Sequence, residues 1–169
     1  MHIIPGYSMM AATATTFMLS IIFLLLSEQS KKQYMRFWGI SWLVYSAMFL
    51  LDFCHLNWDF IYLGYVMLRQ MLALLGAYTF LLGTHHFFQT KYPASLGFAA
   101  ILSTISMSLY PAISPVYTLM IIPNIIFSSG LLIYSGCMFI AISWTQKLPE
   151  KLIASFLIIL WSIFINHFA

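Results

Sequence analysis

The sequence predicts an all-α, polytopic membrane protein with six transmembrane helices and an outside N-terminus. Three observations predict it. The 169 residues are 62% hydrophobic and only 7% charged, where an ordinary soluble domain is about 45–50% apolar and about 25% charged. The apolar residues fall into segments long enough to cross a bilayer, which takes about 20 residues each. The basic residues fall into alternate loops between those segments. This composition excludes a water-soluble globular domain, whose interior would be too small for so much apolar surface. It also excludes a disordered segment and a nucleic-acid-binding module.

The segments cover 3–26, 37–53, 60–88, 94–113, 116–144 and 152–168. Together they make residues 1–169 a single transmembrane domain. The first has no basic start, and its apolar stretch runs into a Ser-Glu-Gln-Ser-Lys-Lys stop. It therefore reads as a retained helix and not as a signal peptide. The second opens on aromatic residues after a basic loop. The third contains Arg69 and Gln70. The fourth carries Ser103, Thr104, Ser106 and Ser108. The fifth contains Pro123, which removes one backbone hydrogen bond and predicts a kink. The sixth runs to the final Ile-Asn-His-Phe-Ala.

Orientation follows from Lys and Arg in short loops. Loops 27–36, 89–93 and 145–151 hold Lys31, Lys32, Arg36, Lys91, Lys147 and Lys151, six of the seven basic residues. These loops are expected in the cytoplasm of a cell-membrane protein. The opposite side carries Asp52 and Asp59. Six spans then leave the C-terminus outside, directly at the end of a helix. A seventh helix, returning the chain to the cytoplasm, is the expectation for what would follow.

Arg69 is the sharpest functional pointer. Counted from residue 60 it lies about ten residues into its helix, where an Arg costs at least about 2.5–3.5 kcal/mol. It must face the bundle or a wet cavity. Tyr62, Tyr65 and Arg69 share one helix face. Asp52 is the nearest counter-ion, offset by about two turns, so that contact needs two reaching side chains or a bridging water. Such a cation would receive an anionic or carbonyl ligand from the outer side; the structural alternative is a tie between the second and third helices. On the fifth segment Asn124, Ser128 and Ser135 form a polar stripe, with Gly130 and Gly136 as points of close approach. Small polar residues of this kind commonly serve helix packing; with the Pro123 kink they could also line a cavity.

His85 and His86 are adjacent and diverge by about 100° on a helix, so they do not share a metal. A metal or haem on the outer side would draw on His2, Cys54, His55 and His167, which come from three segments without motif spacing. No cofactor is expected. Two Cys are too few for a disulfide framework, and no paired carboxylates, catalytic Ser/His pair or phosphate-binding loop is present, so these residues are not expected to form an enzyme.

Three stretches carry a resemblance: Phe37-Trp38-Gly39-Ile40-Ser41-Trp42-Leu43-Val44-Tyr45, Leu81-Leu82-Gly83-Thr84-His85-His86-Phe87-Phe88, and Leu157-Ile158-Ile159-Leu160-Trp161-Ser162. In order and spacing they resemble the multi-helix N-terminal membrane regions of bacterial and archaeal sensor proteins of the histidine-kinase or GGDEF type. The resemblance implies a seven-helix sensory region followed by an output module. This chain departs from it by ending after six segments, and by Ser162 where a Gly would follow the Trp.

The leading expectation is therefore a membrane-embedded sensory or ligand-binding domain for a small apolar or amphiphilic signal, or for membrane state. Arg69, Tyr65, Tyr62, Asn124, Ser128 and Asp52 would form its site. Its partners would be the lipid bilayer, a lipid-like or small-molecule ligand, and a second copy or a downstream output module. A small transporter, or the substrate-binding subunit of one, is the alternative. A haem- or quinone-binding redox protein is a third.

Overall fold

In a computed structural model the described residues are 3–57, 62–92, 97–98, 101–106, 109, 117–146, 153 and 155–161. Four long helices dominate: α1 Ile3–Ser30, α2 Gln33–Asn57, α3 Tyr62–Phe87 and α4 Tyr117–Gln146. Residues 101–106 and 155–161 are also helical, and no strand occurs among the described residues. The four long helices are each long and apolar enough to cross a membrane. The expected spans at 94–113 and 152–168 lie mostly outside the described residues.

α1 and α2 outrun their sequence-based bounds. α1 extends to Ser30 and α2 begins at Gln33 and ends at Asn57, so Lys31 and Lys32 alone interrupt the helices of the expected 27–36 loop. Hydropathy marks where apolar residues stop, whereas backbone hydrogen bonding carries a helix on through polar residues. Both described turns after a helix use a left-handed residue other than Gly. At the end of α1, Lys31 has φ 54° and its N–H donates to the Ser27 carbonyl at 2.8 Å. After α3, Gln89 has φ 54°. Its N–H donates to His86 O at 3.3 Å, while Thr90 N–H donates to His85 O at 3.1 Å. This pair of bonds is the Schellman pattern, in which the left-handed position is most often Gly.

α2 and α3 run antiparallel in a register set by residues seven apart. A Cβ added to Gly83 would lie 2.7 Å from the Trp38 indole nitrogen, and one added to Gly76 would lie 2.9 Å from the Tyr45 ring. Glycine at these two positions lets a large ring lie against the facing backbone, the close approach by which helices associate without a hydrophobic drive between them. Ser41 Oγ donates to the Gly76 carbonyl at 2.7 Å across the same interface. On the other side of α2, Gly39 meets Leu24 of α1, and Ser46 Oγ donates to Thr13 O at 3.2 Å.

The core is built around Tyr45, Met48, Phe49, Ala73, Ala77, Phe80 and Leu132. Trp161 is set against Trp42, Tyr45 and Phe49, with ring centroids 4.9, 6.0 and 6.1 Å away. α4 turns Asn124, Ser128, Leu132, Ser135 and Phe139 inward and Ile126 and Tyr134 outward. Its helix continues through Pro123. Gly136 approaches Ile159 and the Ser155 carbonyl, but Gly130 has open space before it. That corrects the expectation that both glycines serve close approach: Gly130 lies on the outer side of the helix, away from the stripe. The exterior of α1 is apolar, with Phe17, Met18, Ile22 and Leu25 exposed, a surface suited to hydrocarbon and not to water.

Candidate functional site

The predicted site residues divide into two groups. Asp52, Tyr65 and Arg69 come together. α2 and α3 are antiparallel, so Asp52 stands seven residues beyond Tyr45 and Arg69 seven before Gly76. The same register that seats two rings on two glycines thus sets the carboxylate opposite the guanidinium. Arg69 Nε donates to Asp52 Oδ1 at 2.9 Å, and the Tyr65 hydroxyl donates to the same oxygen at 2.9 Å. Tyr65 and Arg69 are four apart on α3, hence neighbours on one face.

The two-turn offset expected between Asp52 and Arg69 is absent. α2 continues to Asn57, which puts Asp52 inside the helix, and α3 starts at Tyr62, which makes Arg69 its eighth residue. The two side chains meet directly, with no need of a bridging water. Both are buried, at 2% and 7% exposure. Unpaired charges would be costly here, and each removes most of the other's penalty.

His55, one turn after Asp52, joins this cluster. Its ring stacks on Tyr65 with centroids 3.8 Å apart and an interplanar angle of 13°. By sequence His55 is a metal candidate only. The usable signal is its spacing of three from Asp52, which puts both on one face of α2. Asp52 Oδ2 is buried and has no hydrogen-bond partner among the described residues. The cluster therefore holds one carboxylate oxygen firmly and buries the other without a partner among the described residues.

Asn124 and Ser128 are buried on α4 but join this cluster through no hydrogen bond among the described residues. Ser128 Oγ donates to Ile125 O at 3.3 Å and Ser135 Oγ to Leu131 O at 2.9 Å. These are the local bonds by which a hydroxyl satisfies itself inside a helix. Asn124 Oδ1 is buried without a partner among the described residues. Tyr62 opens α3, but its side chain, with His2 and His167, lies outside the described residues. Cys54 carries a free thiol. No group of three His, Cys, Asp or Glu able to hold a metal occurs among the described residues.

The two histidines of α3 diverge as their spacing predicts. His85 is buried, with Nδ1 2.7 Å from Thr90 Oγ1. His86 is exposed and stacks on Phe37 at 5.0 Å. Cavities occur elsewhere in the bundle. One of about 280 Å³ is apolar and lies among Leu19, Trp42, Phe80, Leu132 and Trp161. Another, of about 400 Å³ and more polar, lies at the Lys32 and His86 end.

The fold and cluster define an all-helical chain with four helices fit to cross a membrane and a buried ion pair between two of them. Compared with protein-family models, curated proteins and solved structures, the chain matches none.

Proposed function

We propose that the chain is a multi-pass, membrane-embedded sensory or ligand-binding domain of a signal-transduction protein. In this reading six spans cross the cell membrane, the N-terminus is outside, and loops 27–36, 89–93 and 145–151 are cytoplasmic. The apolar exterior of α1 and the one-sided placement of basic residues support the embedding. The sensor-like stretches around Trp38, His85 and Trp161 support the sensory role.

The observation that carries ligand binding is the buried Asp52 Oδ2, which has no hydrogen-bond partner among the described residues. A buried carboxylate oxygen without a donor is unfavourable and invites one. With Arg69 Nε engaged by Asp52 Oδ1, the recognition group is the carboxylate, and the favoured ligand presents an N–H or O–H. A small amphiphile with an amine or hydroxyl head, arriving from the outer side, has that chemistry. Binding signals only if the ligand prefers one of two helix arrangements. The α2–α3 contact beneath the ion pair is where such a preference would act.

The test is thermal unfolding of the purified chain in detergent against alkyl amines, alcohols and carboxylates of matched chain length. Amines or alcohols should raise the midpoint while carboxylates do not, and Asp52→Asn should remove the difference. Equal responses to all three classes, or a response untouched by Asp52→Asn, would overturn the reading.

A further inference from the structure

The end of the bundle opposite Asp52 holds a cavity of about 400 Å³ where the α1–α2 turn meets the end of α3. It is lined by Lys32, Gln33, Tyr34, His86, Phe87 and Gln89. Its polar lining is an ammonium, an imidazole, a phenol hydroxyl and two side-chain amides, each able to donate a hydrogen bond. Lys31, Arg36 and Lys91 flank it in sequence, and Glu28 is the single acid at this end among the described residues.

Two of the lining groups are held in place by rings. Lys32 Nζ lies 5.9 Å from the centroid of the Tyr34 ring, within cation–π range. His86 lies flat on Phe37, centroids 5.0 Å apart and planes 14° from parallel. Tyr34 in turn meets Phe87 edge-on at 5.0 Å, which ties the two walls together. A third group, Gln89, is set by the turn after α3, in a left-handed backbone that favours Gly. A cavity so walled, with one ammonium and several further N–H and O–H donors, suits a tetrahedral oxyanion.

We propose that this cavity binds a phosphate group, carried by an anionic lipid headgroup or free in solution. The lipid source rests on the membrane-embedded reading above; the free-phosphate source does not. Basic pockets between helices at the cytoplasmic surface are suited to such headgroups, and each Lys or Arg near the surface strengthens attraction by about fivefold. The buried Asp52 Oδ2 at the other end has no part in it.

The experiment uses the full chain in two arms. In nanodiscs of phosphatidylglycerol mixed with phosphatidylcholine, native mass spectrometry counts the lipids that stay bound. The wild type should retain phosphatidylglycerol preferentially. Lys32→Ala should lower that preference about fivefold, and Lys32→Ala with His86→Ala should lower it further. In detergent, inorganic phosphate should raise the unfolding midpoint over chloride at equal ionic strength if free phosphate is the source. Gln89→Gly separates binding from folding: it relieves the left-handed backbone and should raise thermal stability while weakening anion retention. A preference in either arm that these variants reduce supports the proposal and names the source. The proposal is overturned by no preference in both arms, or by one that Lys32→Ala and Gln89→Gly leave intact. A chain that fails to enter nanodiscs yet shows the phosphate shift refutes the embedding and supports the site.

Discussion

Asp52 and Arg69 occupy one layer of the α2–α3 interface, with Oδ1 and Nε 2.9 Å apart. The layers before it pair Tyr45 with Gly76 and Trp38 with Gly83. A ring on a glycine twice, then a carboxylate on a guanidinium, makes a ladder with a seven-residue step along both helices. The ion pair is thus a register mark: sliding α3 by one turn would strand two buried charges and drive two rings into side chains. Buried polar pairs that specify register are the best-attested structural use of such groups.

Breaking the pair on one side should be severe. Arg69→Ala or Asp52→Ala leaves a buried charge uncompensated and should cost about 3–5 kcal/mol. The double variant carrying both Arg69→Met and Asp52→Leu should recover most of it, since apolar replacements of a buried pair are often neutral. Unfolding midpoints of these proteins and the wild type in one detergent show whether the two sites couple; a loss in the double variant equal to the sum of the two single losses would show that they do not.

The glycines make opposite predictions. Gly76→Ala forces the buried Tyr45 ring aside and should destabilise by about 1–3 kcal/mol. Gly130→Ala meets nothing within 4 Å among the described residues and should stabilise α4 by about 0.5–1 kcal/mol through helix propensity. Thermal unfolding of the two variants beside the wild type checks both signs at once.

The turn residues invite a stabilising change. Lys31 and Gln89 sit at φ 54°, where a residue with a Cβ is strained by about 1–2 kcal/mol. Gly removes the strain but adds freedom to the unfolded chain, so Lys31→Gly should gain about 0.5–1 kcal/mol. A lower midpoint would mean that the Lys31 side chain holds the turn by a contact that outweighs the strain.

Orientation is open to chemical labelling. In a Cys54→Ser, Cys137→Ser background, Ser30→Cys adjoins the first basic turn. A membrane-impermeant maleimide should modify it in intact cells only after permeabilisation. Labelling from outside without permeabilisation would reverse the assigned topology.

Much of this protein was written into its residue order. Hydropathy alone marks α1 to α4, because a 20-residue apolar run has few alternatives to a helix in lipid. Arg69 was conspicuous for the same reason: a charge in such a run needs a partner, and Asp52 was the nearest acid. The inward stripe of Asn124, Ser128 and Ser135 followed from helical spacing. The tertiary structure decided what spacing within one helix cannot, namely the register between helices. That register depends on which rings find which glycines, so Trp38 on Gly83 and Tyr45 on Gly76 brought Asp52 level with Arg69. It also stacked His55 on Tyr65 and left Gly130 exposed. Sequence thus named Asp52 as the nearest partner for Arg69, because burial makes an unpaired charge too costly; only the packing of α2 on α3 decided that the two meet directly, in which layer and through which oxygen.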